Sequence, residues 1–561
     1  MVILRRSELA KGSRKFWVSE VPRLSDHPAD VSPASGEYRI ARHAAREPVI
    51  GSNRVEQEVE FPTGSRDNQY SRRSPARATS MPPEFAQDRR SFLARTSAGV
   101  GLFALADLLQ REGLLAAPAK PGENPVPSLA PKPPHFAPKA KAMISLFMHG
   151  GPSHVDLFDP KPELTKHSGQ DYKGDVHFSF VNRASKKLFG SPWKFAKRGK
   201  CGTEVSELLP HTAGIVDDIA VVRSMHTGFN GHEVSIRYWH GGIAGITGRP
   251  TMGSWITYGL GSEARNLPAY MVLSDPAGHP VDATHNWNCG FLPPLYQGTV
   301  LRPQEPRILN LDKPLDVPDS IQKQNLGFLA ELNKAHLAKH PGESDLEARI
   351  ASYELAAAMQ IAAKEALDVT REPERVKEMY GLNRPETKEY GTRCLIARRL
   401  VERGVRFVQL FLGGQPWDTH QGIKNGLPAI CTRTDQPAAA LVKDLKQRGL
   451  LDTTIVHWGG EIGRLPVCEG DMNATTAGRD HNGQGFTCWL AGGGIKPGIT
   501  YGETDEVGHK AAVNVVTPND FQATIFHLLG LDHDKLVYHH GGKAQRLTDG
   551  RPARVVKEIL A

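Results

Sequence analysis

Beyond residue 138 the chain is built from short, uninterrupted apolar runs separated by longer stretches whose apolar positions recur at helical spacing. The runs at 142–148, 219–222, 406–412 and 453–458 lack the alternation of a strand with one wet face, so they predict strands buried on both sides of a parallel sheet. Helices are predicted at 343–369, 392–403, 437–448 and 519–529, while the Pro-rich, weakly periodic stretch 291–341 reads as an irregular excursion. Strand and helix alternating with short connections imply an α/β domain, a large and mainly parallel central sheet with helices on both faces. Ligands of such sheets gather beyond the carboxyl ends of the strands.

The residues just after each run therefore carry the chemical information. The first run leads into His149-Gly150-Gly151-Pro152-Ser153-His154-Val155-Asp156, and the run at 406–412 leads into Asp418-Thr419-His420. The run at 453–458 is followed by Glu461 and Arg464, then by Arg479-Asp480-His481. After 219–222 come Ser224, His226, Thr227 and His232. Glycine at these ends lets the backbone turn sharply and approach a ligand.

Eight of these residues, His149, His154, Asp156, Asp418, His420, Glu461, Asp480 and His481, form a candidate metal rim. Imidazoles mixed with carboxylates suit zinc or manganese, and carboxylates alone suit magnesium or calcium. Such a divalent ion acidifies water and withdraws charge from a phosphoryl or sulfuryl oxygen. Arg464 and Arg479 offer planar forks matching an anionic ester, or else pair with Glu461 and Asp480 to hold the loops. His226 and His232 are candidates for proton transfer or substrate contact, or are loop histidines with ordinary bonds. Trp239, Trp255 and Trp287 are expected to pack the core or line a cleft.

Composition narrows the partners. With 561 residues, 39% hydrophobic and 23% charged, the chain is globular in character. Its net charge of +8 sits at the front: residues 1–142 hold 22 Lys and Arg against 15 Asp and Glu, which leaves 47 against 46 for the remainder. A main domain so close to neutral argues against nucleic acid as the partner. The six cysteines show no zinc-knuckle spacing, and buried free thiols are expected, with Cys468 and Cys488 as the pair able to close a loop.

The front of the chain has its own logic. Residues 1–80, rich in Arg, Ser and Pro, are expected to be disordered or to lie upstream of a translation start at Met81. Asp88-Arg89-Arg90-Ser91-Phe92-Leu93, an apolar run at 97–109 and Ala117-Pro118-Ala119 come in the order of a twin-arginine signal, assigned to 81–119. The run is too short, and too interrupted by Asp107, for a membrane span. The expectation is export by the twin-arginine machinery to the periplasm or beyond, with a Pro-rich linker at 120–138 and the main domain at 139–561.

The segment from Phe147-Met148-His149 through Asp156-Leu157-Phe158-Asp159-Pro160-Lys161-Pro162, with Gly460-Glu461-Ile462-Gly463-Arg464 and Gly478-Arg479-Asp480-His481, resembles the secreted family known as domain of unknown function 1501. The resemblance covers residues 139–547. That family is grouped with the alkaline phosphatase and sulfatase superfamily, so it implies that fold, a metal-dependent hydrolase and a sulfate or phosphate ester, or a sulfated glycan, as substrate. By position, the 149–156 loop resembles that superfamily's first metal-binding strand end. Asp418 and His420 resemble its middle ligands, Glu461 its acidic strand-end ligand and His481 its late histidine. The sulfatase Cys/Ser-x-Pro-x-Arg motif is missing, and the nucleophile position of the phosphatases falls near Ser224 and Thr227. The alternative expectation is a non-catalytic envelope protein that keeps this fold to bind a glycan or a partner.

Overall fold

Every residue of the first apolar run is buried on both sides, which is why it shows no alternation. In the computed structural model it forms β1 (Ala142–Phe147), followed in the central sheet by β2 (Ile219–Met225), β3 (Tyr270–Leu273), β4 (Thr299–Leu301), β5 (Phe407–Phe411), β6 (Thr454–Gly459), β7 (Phe486–Ala491) and β8 (Ile499–Tyr501). The spatial order is β8-β2-β7-β6-β1-β5-β3-β4. Neighbours pair parallel, except that β7 runs antiparallel between β2 and β6. At the centre Ile144 stands level with Val408 on one side and Val456 on the other. Because β1, β2, β5 and β6 share a direction, their carboxyl ends share one rim.

The structure describes residues 124–179, 184–309, 311, 317–340, 343–473 and 475–561, all within the compact unit Gly101–Ala561. The segment 1–80, the stretch 81–119 read as a signal and the first residues of the expected linker lie outside the described residues.

Helices cover both faces: α1 (His232–Gly241), α2 (Met252–Leu260), α3 (Asp319–Lys339), α4 (Ser344–Leu367), α5 (Pro385–Glu402), α6 (Ile423–Gln447) and α7 (Pro518–Leu528). Ile144 and Leu146 of β1 pack with Met359 of α4, Leu395 of α5 and Leu441 of α6. Met143 and Phe147 face the other way, onto Trp239 of α1, Trp255 of α2 and Phe526 of α7. Trp239, Trp255 and Trp287 are all core residues. Burying one such large apolar side chain stabilises the fold by about 1.5–3 kcal/mol. α7 starts where its sequence says it should, with Pro518 in the first turn, Thr517 accepting from the Asp520 N–H, and Asp520 accepting from the Thr517 N–H.

Several elements differ from the sequence expectation, among them the helix read at 392–403, which begins at Pro385. The helix read at 437–448 begins at Ile423 and carries Pro428 and Pro437 inside it. Burial of Leu427, Ile430, Leu441 and Leu445 along one stripe outweighs the lost backbone bonds. The excursion at 291–341 contains the long helix α3, none of whose residues is buried; with no side facing a core, it has no apolar period to read. The run that forms β7 is apolar like its neighbours, and burial pattern carries no information on direction. Cys468 and Cys488 do not form the loop-closing disulfide the sequence allowed, and of the six cysteines Cys201 is exposed while the other five are buried. Among the described residues no helix is long and apolar enough to cross a membrane.

Candidate metal centre

Four segments converge on the shared rim. The loop after β5 carries Asp418 and His420, and α1 begins with His232. After β6 comes Glu461, then Gly463–Arg464, which pairs antiparallel with His481–Asn482 so that Arg464 stands opposite His481. The β1 loop is pressed against Asp418: Gly150 has φ +109°, and a Cβ there would lie 2.8 Å from the Asp418 backbone nitrogen. Only glycine permits both that conformation and that approach.

Three imidazoles surround one carboxylate oxygen. The Nε2 atoms of His232, His420 and His481 lie 3.5, 3.1 and 3.1 Å from Asp418 Oδ1, and His420 Nε2 is 2.9 Å from His481 Nε2. Each ring is held from behind through Nδ1. His232 is bonded to Glu461 at 2.6 Å, His481 to the Ser179 hydroxyl at 3.0 Å, and His420 to Glu469. Glu461 accepts in turn from the Gly150 N–H at 3.0 Å. Asp480 accepts from the backbone N–H groups of Ser179 and His481, at 2.6 and 2.7 Å. With carboxylates on Nδ1, two of the rings are set to present an Nε2 lone pair inward, the arrangement that orients histidine ligands in metal sites.

The size of the cage fits a cation. Four donors at about 2.0–2.1 Å from a common centre, placed tetrahedrally, are separated by edges of about 3.3 Å. Four of the six edges are given by the separations above and bracket that value, and His232, Asp418 and His481 form one group of donors within 4.8 Å of one another. Three nitrogens and one carboxylate oxygen suit zinc or manganese better than magnesium or calcium, which favour oxygen donors. His420, Asp480 and His481 also have donor atoms within 4.8 Å of one another, so Asp480 borders the same space. The donors reach solvent on one side, with Asp418 20% exposed and His420 15%, while Glu461 and Glu469 behind them are sealed at 0% and 1%.

Electrostatics agree with a seat for positive charge. Burial alone would raise the Asp418 carboxyl, but bonds to His232, His420 and His481 and the Arg464 charge hold it far below the usual range. Burial opposes protonation of His420, yet its bonds to Asp418 and Glu469 win and raise it to about 9. His232 is likewise raised against burial by Asp418 and Glu461. For His481 burial wins, lowering it to about 4 despite its bond to Asp418.

The structure brings together His232, Asp418, His420 and His481, with Glu461 and Asp480 in the layer behind. His149 flanks this group, its ring centre 6.2 Å from that of His232 and its Nε2 accepting from the Val281 N–H at 3.2 Å. The remaining predicted residues have other partners. His154 donates through Nε2 to the Gly508 carbonyl at 2.7 Å. Asp156 accepts from Ser153 and forms a bidentate pair with Arg479 at 2.7 and 3.0 Å. Arg479 also bonds the Leu465 carbonyl and lies over the Phe189 ring, fully buried. Arg464, equally buried, donates to the carbonyls of Gly150, Gly151 and Arg479 and to Asp418. Both arginines hold loops, through Asp418 and Asp156 rather than Glu461 and Asp480. The Thr227 hydroxyl faces the carbonyls of Phe229 and Gly483, and Ser224 donates to that of Asn514. His226 bonds the Gln484 carbonyl.

Sequence reading passed over Glu469 and Ser179. Glu469 ends a short apolar strand, Val467–Glu469, and so repeats the pattern of an acid after a buried run. Ser179 carries no such signal.

Residues 140–560 match the model of the family described as "Protein of unknown function (DUF1501)". No curated protein matches the chain. Among solved structures it is similar to the lipoteichoic acid synthase LtaP from Listeria monocytogenes, at TM-score 0.30 and 7% identity over 75% of this chain and 80% of that one. It is also similar to the phosphonate monoester hydrolase SpPMH from Silicibacter pomeroyi, at TM-score 0.26 and 12% identity over 63% and 71%. A third is the PsFucS1 sulfatase from Pseudoalteromonas sp., at TM-score 0.25 and 11% identity over 58% and 62%.

Proposed function

The chain belongs to the DUF1501 family, and we propose that it is a metal-dependent hydrolase of sulfate or phosphate esters, exported by the twin-arginine route. The ester class is the one its sequence resemblance implies. One observation carries the metal: three imidazole nitrogens gathered within 3.1–3.5 Å of one carboxylate oxygen, near the edge length of a zinc tetrahedron, and backed by Glu461, Glu469 and Ser179.

A cation held there lowers the pKa of a water and polarises the ester oxygen. The protein's part is positioning. Glu461 and Glu469 fix which nitrogen of His232 and His420 faces inward, and Arg464 ties Asp418 to the β1 loop. The hydroxyls of Ser224 and Thr227 are occupied by backbone carbonyls, which favours direct attack by water over a covalent intermediate. Access is from the exposed side of Asp418 and His420.

The same two hydroxyls, with four protein donors already filling a tetrahedron, favour a second reading, an envelope binding protein with a structural ion. Metal analysis of purified protein, with turnover of aryl sulfate and aryl phosphate esters before and after His481→Ala, separates them. Metal with His481-dependent turnover supports the hydrolase; metal without turnover supports the binding protein; absence of stoichiometric metal removes both.

A further inference from the structure

A basic strip lies near the cage on a domain that is nearly neutral overall. Lys186, Lys187, Lys194, Lys197, Arg198 and Lys200 are all exposed, and no acid occurs between 184 and 203. Among the described residues only Lys187 has a carboxylate in ion-pair range, Asp171 at 3.1 Å. Asp217 accepts from the backbone N–H groups of Lys200 and Cys201, and Glu204 stands level with Lys197 in the hairpin without an ion pair to it.

The strip has a path and a cleft. The strand Ala184–Leu188 pairs with Val467–Glu469, placing Ala184 level with Glu469, the carboxylate that holds His420. From there the chain passes Lys186 and Lys187 and reaches the hairpin of Phe195–Arg198 with Thr203–Ser206. At the base of the hairpin is a cleft of about 450 Å³ lined by Trp193, Phe195, Pro160, Pro162, Lys161 and Lys166, among others. Its volume is that of a small-ligand site. The aromatic pair offers flat apolar area; the two lysines of the lining are paired, Lys161 with Asp159 and Lys166 with Glu163, each at 3.1 Å, so among the described residues the unpaired positive charge comes from the adjoining Lys194, Lys197 and Arg198.

We propose that this strip and cleft bind an acidic polysaccharide, a sugar ring resting on Trp193 and Phe195 while its sulfate or carboxylate groups pair with the surrounding lysines and Arg198. A single aromatic cleft fits a glycan better than single-stranded nucleic acid, which is held on successive stacking platforms along a longer basic groove. The strand that carries Lys186 and Lys187 pairs beside Glu469, and in that proximity to the cage alone the inference rests on the ester-hydrolase reading. Binding itself does not need the cage to be catalytic.

Affinity electrophoresis of the full chain tests this, with gels containing dextran sulfate, polygalacturonate, neutral dextran or no polymer. Dextran sulfate, polygalacturonate or both retard the protein, and their comparison shows whether sulfate or carboxylate is preferred. Neutral dextran does not retard it. Removing three cations together, Lys194→Ala with Lys197→Ala and Arg198→Ala, weakens binding about tenfold or more, as loss of counterion-releasing contacts requires. Trp193→Leu weakens binding of a short sulfated oligosaccharide, its fold checked by thermal midpoint. Stripping divalent metal from the full chain with a chelator leaves the retardation unchanged, so a failed cage and a failed strip are told apart. Unchanged retardation of the triple variant overturns the proposal, as does absence of retardation by either acidic polymer. Oligo-dT that competes as well as dextran sulfate at equal charge overturns it in favour of nucleic acid.

Discussion

Metal binding by this cage must compete with protons, and Glu469 sets how strongly. His420 is raised to about 9 because its bonds to Asp418 and Glu469 outweigh burial, so at pH 7 it carries a proton that an incoming cation displaces. Below about pH 9 each unit of acidification then costs about tenfold in affinity, or about 1.4 kcal/mol, for that one proton. His232, raised by Asp418 and Glu461 against burial, adds to the slope. Glu469→Gln keeps the shape of the side chain and removes its charge. The His420 pKa falls, and the slope between pH 7 and 9 flattens. Loss of an orienting partner to a metal ligand costs about 10–100-fold, so the variant binds zinc more weakly than the parent at pH 9. At pH 7 easier deprotonation offsets part of that loss and the two proteins converge. Chelator competition across pH 6.5–9.5, with calorimetry in buffers of different ionisation enthalpy, measures both affinity and protons released. A parent affinity flat between pH 7 and 9, or a variant equal to the parent at pH 9, would show that protons and Glu469 do not govern the cage in this way.

Other perturbations probe the surroundings of the cage. Asp156→Asn leaves Arg479 buried without its counter-charge, and breaking a buried pair costs about 3–5 kcal/mol; urea unfolding should show a loss of that size. Gly150→Ala places a Cβ 2.8 Å from the Asp418 nitrogen at a φ of +109°, so zinc affinity should fall together with the thermal midpoint. Burial lowers His457 to about 3, against about 6.5 in the unfolded chain. The unfolded state therefore binds the extra proton, and the stability present above pH 6.5 is lost as pH falls toward 3, at up to about 1.4 kcal/mol per unit. His457→Gln, which removes the titrating group, should make the acid limb of unfolding shallower.

How much of this was legible in the chain depends on what burial writes into sequence. β1, β2, β5 and β6 are visible because being covered on both faces forces continuous apolar runs, and their shared direction comes from the helices between them. That logic also placed Asp418, His420 and His481 on one rim. It did not say which way each side chain turns there. His154 and Asp156 come after the same kind of run, yet the helical turn at His154–Leu157 directs them to Gly508 and Arg479. His232 enters the cage because it opens α1; the sequence marked it as a candidate for proton transfer or substrate contact, or a loop histidine, and not as a metal ligand. Ser179 stayed hidden because a hydroxyl that braces an imidazole from behind needs no pattern in its neighbours. Glu469 was readable in principle, since it too comes after a buried run.

Everything proposed for the rim depends on His232, His420, His481 and Asp418 holding one divalent cation. X-ray absorption at the metal edge of the purified chain, beside its metal stoichiometry, addresses that directly. One ion per chain is expected, with nitrogen and oxygen neighbours at about 2.0–2.1 Å and an imidazole scattering pattern lost in His481→Ala. A chain without stoichiometric metal, or an ion whose surroundings do not change in that variant, would contradict it.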